Sequence, residues 1–83
     1  MPDSHYREIE RTGVEPIEAM ETAILAGIPA PHHAAVLRNF SIAMATKYLL
    51  RCGSKDEPEE ELRKAENYLH RARTGKWLSK EVR

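Results

Sequence analysis

Eighty-three residues, 41% apolar and 31% charged, with a mean hydropathy of −0.61, describe a single small domain with a thin core and a generous polar surface. Thirteen basic residues balance thirteen acidic ones, which argues against non-specific nucleic-acid binding driven by counterion release. No apolar run approaches the ~20 residues that span a bilayer, the acidic, polar N-terminus lacks the order of a signal peptide, and the lone Cys52 cannot form an internal disulfide, so an intracellular protein with no membrane partner is expected.

Residues 1–14 hold Pro2, Ser4, Thr12 and Gly13 without a sustained period and read as an irregular arm. Pro16 suits the first turn of a helix whose stripe is Ile17, Met20 and Ile24, and Gly27 ends it. Pro29 and Pro31 punctuate a connection. Val36, Leu37, Phe40, Ala43, Met44 and Tyr48 then trace the apolar face of a central helix that runs to Gly53. Asp56 with Glu59 resembles a capping box, Pro58 fits a first turn, and a third helix is expected from near Glu57 to Gly75, with Leu62, Ala65, Leu69 and Ala72 as its buried seam. Trp77 and Leu78, among Lys76, Lys80 and Arg83, form a tail that docks loosely or extends. There is no internal repeat and no strand-like alternation. The expected fold is therefore an all-α, three-helix domain over residues 1–83, with arm 1–14, helical core 15–74 and tail 75–83. A chain this short hides only ~60 to 65% of its unfolded surface, so a homo-oligomer is also expected.

Charge is unevenly spread. Residues 1–37 carry six acidic and two basic side chains, whereas residues 38–56 carry Arg38, Lys47, Arg51 and Lys55 against Asp56 alone. Lys47, Arg51 and Lys55 recur every four residues, so the first two share a helix face and the third lies just past its end. Arg51 can contact a phosphate bidentately, and the lysines act as point charges. The plainer reading is a solvated face in which Arg51 complements the helix dipole. In the arm, an imidazole and a phenol at His5 and Tyr6 can stack on a base or donate to a phosphate, or Tyr6 can bury its ring as a plug. Tyr48 and Tyr68 lie on or beside apolar stripes and read as core.

His5-Tyr6, Gly13-Val14-Glu15 with Ile17-Glu18, and Lys47-Tyr48-Leu49 with Arg51, Gly53, Lys55-Asp56, Pro58, Leu62, Lys64-Ala65 and Tyr68-Leu69 together resemble the SaV-like domain of small bacteriophage proteins. That order covers roughly residues 4–71. Ahead of Lys47-Tyr48 this chain has Ala43-Met44-Ala45 where the family usually reads Gly-Asn-Ala. Members are often labelled phage nucleotide kinases, so the resemblance implies a phage accessory protein connected with nucleotides in the cytoplasm of an infected bacterium. It adds Lys64 to Lys47, Arg51, Lys55, His5 and Tyr6 as candidates for phosphate or nucleotide contact.

The carboxylates raise a second chemistry. Glu15, Glu18 and Glu21 are spaced by three on one helix face, and Glu57, Glu59, Glu60 and Glu61 crowd the start of the third helix. Paired carboxylate helices can hold Mg²⁺, with Glu15 and Glu18 as the metal candidates, although an ion can equally arrive with a nucleotide's phosphates and no resident cofactor is expected. Dipole preference and the i,i+4 pairs Glu59/Arg63 and Glu60/Lys64 explain the second group without a metal. His32 and His33 diverge at the start of a helix and are expected to face solvent, and Cys52 reads as an inert helix-end thiol. Gly13, Gly27, Gly53 and Gly75 are isolated from one another, so a P-loop kinase is excluded. Three functions remain open: a nucleotide or phosphate binder, a nucleotide-metabolising enzyme without a P-loop, and a helical protein that modulates a host protein.

Overall fold

The computed structural model describes residues 15–54 and 57–79. Three helices, α1 (Pro16–Leu25), α2 (His33–Arg51) and α3 (Pro58–Thr74), follow one another, with a 3-10 turn at Ala30–His32 leading into α2, and no strand forms among the described residues. The chain is a small all-α domain, as its periodicity implies. No helix among the described residues is long and apolar enough to cross a membrane.

Helix ends follow from backbone chemistry. Pro occupies the first turn of α1 and of α3, where a missing donor costs nothing. Gly75 ends α3 in the left-handed region at φ 78°, and its N–H returns to the Arg71 carbonyl at 2.8 Å. Acidic Glu59, Glu60 and Glu61 in the first turn of α3 and basic Arg71 and Arg73 in the last complement its dipole. The expected capping box is displaced. Glu57 is the N-cap, it makes no side-chain capping bond, and Asp56 lies outside the described residues. At the start of α2, His33 is half-buried rather than solvent-facing, and its Nε2 donates to the Ile28 carbonyl at 2.7 Å, while His32 is exposed.

α2 and α3 form an antiparallel hairpin joined by a short turn at Gly53, and α1 packs on α2. The hairpin closes over small side chains. Ser41 and Ala45 on α2 and Ala65 on α3 are 1%, 1% and 2% exposed, which lets the two backbones approach. Tyr48 and Tyr68 stack across the seam with ring centroids 5.7 Å apart, and Trp77 meets Tyr68 edge-on at 5.2 Å. Ile17 from α1 joins this cluster, with Phe40, Met44 and Trp77 packed against it.

The burial pattern corrects the apolar seam read from sequence. On α3 the buried positions are Glu61, Ala65, Asn67 and Tyr68, while Leu62 and Leu69 stay 44% and 48% exposed. On α2 they are Ser41, Ala45 and Tyr48, whereas Val36, Leu37, Phe40 and Met44 are half-buried and Ala43 is exposed. On α1 Ile17 is buried and Met20 is 43% exposed. Hydrophobicity alone missed the seam because close approach favours small residues, and aromatic area from Tyr48, Tyr68 and Trp77 replaces the leucines.

The described part of the tail, residues 75–79, docks tightly. The Asn67 side chain, fully buried, accepts from the N–H groups of Leu78 at 2.8 Å and Ser79 at 3.0 Å and donates to the Ser79 carbonyl. Arg71 fastens three elements at once. It grips Glu21 of α1 through two bonds at 2.8 and 3.3 Å, donates to the Gly75 carbonyl, and lies 4.8 Å from the Trp77 ring centre. Replacing Asn67 with Ala should cost about 1 to 3 kcal/mol, the range for breaking buried hydrogen bonds. It should also red-shift the emission of Trp77, the single tryptophan; an unchanged spectrum and midpoint in urea would mean that Asn67 does not hold the tail.

Candidate functional site

The hairpin gathers three cations around one ring. Lys47 Nζ lies 4.8 Å from the centre of the Tyr48 ring, Lys64 Nζ 5.3 Å and Arg51 Cζ 5.8 Å, so no two of the three charges are more than about 11 Å apart. Helical spacing brings Lys47 and Arg51 close along α2. Lys64 arrives from α3 because it precedes the buried Ala65 and so flanks the same seam. Each cation rests against the negative face of the ring, which is worth about 0.5 to 1 kcal/mol at a partly exposed site.

A buried carboxylate lies beside the cluster. Glu61 Oε1 approaches Arg51 at 3.7 Å, and that carboxylate is wholly buried, with neither oxygen receiving a hydrogen bond. The three cations stand close enough to repel one another. Their mutual repulsion acts within about a Debye length, ~8 to 10 Å in ordinary salt, so it is only partly screened. Lys47 is exposed, and Arg51 and Lys64 are half-buried, so the cluster is open to solvent on one side. An oxyanion entering there meets two ammonium groups and a guanidinium fork already set around an aromatic wall.

Tyr48 belongs to this site as well as to the core. Burial raises its pKa above 10.0, outweighing the nearby Arg51, which lowers it, and Glu61 raises it further. Burial likewise raises Tyr68. Both phenols keep their protons at neutral pH. A reading of Tyr48 from its apolar stripe alone overlooks its wall role; the signal for it is its place between Lys47 and Arg51.

The other sequence candidates divide clearly. His5, Tyr6 and Lys55 lie outside the described residues. The acidic row on α1 does not act together, because Glu21 turns inward to Arg71, while Glu18 is exposed and Glu15 caps the helix from outside. Among the described residues no group of three or more His, Cys, Asp or Glu side chains gathers to hold a metal ion. The expected Glu60/Lys64 pair is replaced. Arg63 lies 3.8 Å from Glu60 and 3.9 Å from Glu59, which leaves Lys64 to turn toward Tyr48. Cys52 caps α2, and its Sγ lies 3.8 Å from the Pro58 carbonyl across the turn.

A model of the protein family of unknown function DUF3310 matches residues 2–70, and the chain belongs to that family. No curated protein and no solved structure matches the chain.

Raised tyrosine pKa values have a sign that can be checked. A proton held more tightly in the folded state contributes stability that is full below the unfolded value of 10.0 and is lost as pH rises through the folded values. The thermal midpoint should therefore fall above about pH 10 in the native chain. The fall should be shallower in Tyr68→Phe. An equally steep alkaline fall in that variant would remove the buried phenols as its cause.

Proposed function

We propose that this DUF3310 protein binds nucleotides or other small phosphate-bearing ligands at the cationic cluster of Lys47, Arg51 and Lys64 around Tyr48. The convergence of three cations from two helices on one ring carries the reading. A solvated helix face would need no such gathering, since exposed lysines gain more conformational freedom pointing apart. Phosphate oxygens would lie between Arg51 and the two lysines. Lys55, the residue after the described end of the turn, and the His5-Tyr6 arm are proposed to complete the contacts, with a base stacking on an aromatic ring. Magnesium, where present, comes with the nucleotide.

Binding rather than turnover is the better-supported reading. Glu61, the carboxylate beside the cations, faces Arg51 from a fully buried position, which suits it to holding that guanidinium in place more than to activating water. The residues that carry the likeness to the SaV-like phage domain include Lys47, Arg51, Lys55 and Lys64, and that likeness supports reading the chain as a phage accessory protein acting in a bacterial cytoplasm.

Isothermal titration of the folded protein with mono-, di-, tri- and cyclic nucleotides tests this. Lys64→Gln and Lys47→Gln each should weaken binding by about 1 kcal/mol, and Arg51→Ala by ~1 to 3 kcal/mol, because each removes a charge-assisted contact to phosphate. The two lysine variants should leave the melting temperature nearly unchanged, whereas Arg51→Ala also strands the buried Glu61 and lowers it. Undiminished nucleotide affinity in both lysine variants, or no binding by the native chain, would overturn the proposal.

A further inference from the structure

One face of the hairpin is apolar and, among the described residues, uncovered. At 3.6 residues per turn, Ile42 and Leu49 lie on the same flank of α2, about a quarter-turn from the buried line of Ser41, Ala45 and Tyr48. Leu62 and Leu69 stand in the same relation to Glu61, Ala65 and Tyr68 on α3. Antiparallel helices wind in opposite senses when viewed from one end, so both flanks fall on the same side of the hairpin. It is the side away from the one on which Arg71 reaches α1. The register set by Arg51 and Glu61 places Leu49 beside Leu62 and Ile42 beside Leu69. These four side chains are 49%, 44%, 45% and 48% exposed.

We propose that this face is the contact surface of a homodimer, in which two hairpins pack antiparallel into a four-helix arrangement. The occupant is argued from self-complementarity. A twofold axis running across the hairpin at the level of Thr46 and Glu66 exchanges Ile42 with Leu49 and, at the same time, Leu62 with Leu69. A single operation therefore satisfies both helices, as an isologous contact requires. The same axis sets Arg73, at one end of the face, against Glu59 of the partner subunit, at the other. The parallel alternative stacks Arg38 on Arg73 of the partner subunit at both ends, two like-charge contacts, against the one that the antiparallel axis makes between Glu66 and Glu66 of the partner subunit.

The size is sufficient. Two helices of about 25 Å lying 8 to 10 Å apart offer on the order of 500 Å² per copy and about 1,000 Å² in the pair, which meets the lower bound for a specific interface. The need is real as well, since among the described residues the buried apolar cluster is Ile17, Ala45, Tyr48, Ala65 and Tyr68. Lys47, Arg51 and Lys64 lie on other flanks of the hairpin, so dimerisation leaves the proposed anion site open.

Sedimentation equilibrium of the full chain, from low micromolar to submillimolar concentration, tests the proposal. The native chain should fit a monomer–dimer equilibrium, and Leu62→Glu combined with Leu69→Glu should sediment as a monomer with unchanged helical circular dichroism. Glu59→Arg and Arg73→Glu should each raise the dimer dissociation constant about tenfold by setting like charges against each other at two symmetric positions. Combining the two reversals should bring it back toward the native value. A native chain that stays monomeric, a dimer that survives the double glutamate change, or a charge-reversed pair that does not recover would each overturn the proposal.

Discussion

The close approach of α2 and α3 is the constraint on which the rest depends. Ser41, Ala45 and Ala65 are small enough for the backbones to near one another, and only at that separation do Tyr48 and Tyr68 stack across the seam. The stack then serves two purposes. Its Tyr68 end provides an edge for Trp77 and so a seat for the tail, while its Tyr48 end provides a wall for cations from both helices. A large side chain at Ala45 or Ala65 would separate the helices and scatter the three charges, which is why the site and the core cannot be altered independently.

Two buried carboxylates show how differently this fold uses charge. Glu21 meets Arg71 in a two-point contact at ordinary hydrogen-bond distances, and the pair joins α1 to the end of α3 and the tail. Glu61 meets Arg51 only at 3.7 Å and receives no hydrogen bond, although it is the more deeply buried of the two. A well-made pair is a structural tie. A longer contact beside two further cations puts Glu61 at the edge of a positive cluster, whereas Glu21 sits inside a two-point structural tie.

The helices were legible because proline and glycine mark their ends chemically: Pro16 and Pro58 in first turns and Gly75 in a left-handed cap are local requirements that a sequence states directly. Which face each helix buries was legible only in part: Ile17, Tyr48, Ala65 and Tyr68 are buried as their stripes imply, and the leucines are not. Leu62 and Leu69 carry the strongest apolar signal on α3, yet the seam runs through Glu61, Ala65 and Tyr68, because contact distance and aromatic area decided it rather than hydropathy. At the site, Lys47 and Arg51 could be placed on one helix face from their spacing alone. The arrival of Lys64 depended on Arg63 taking both Glu59 and Glu60, a competition between neighbours that i,i+4 counting does not resolve.

The central claim is that the hairpin builds an anion site at Tyr48, and amide chemical-shift mapping during titration with pyrophosphate examines it at residue level. The account predicts saturable shifts concentrated at residues 47–51 of α2 and 61–64 of α3, with the opposite end of the hairpin near Arg38 and Arg73 little changed. Shifts that fail to saturate, or that centre on Arg38 and Arg73 instead, would contradict it.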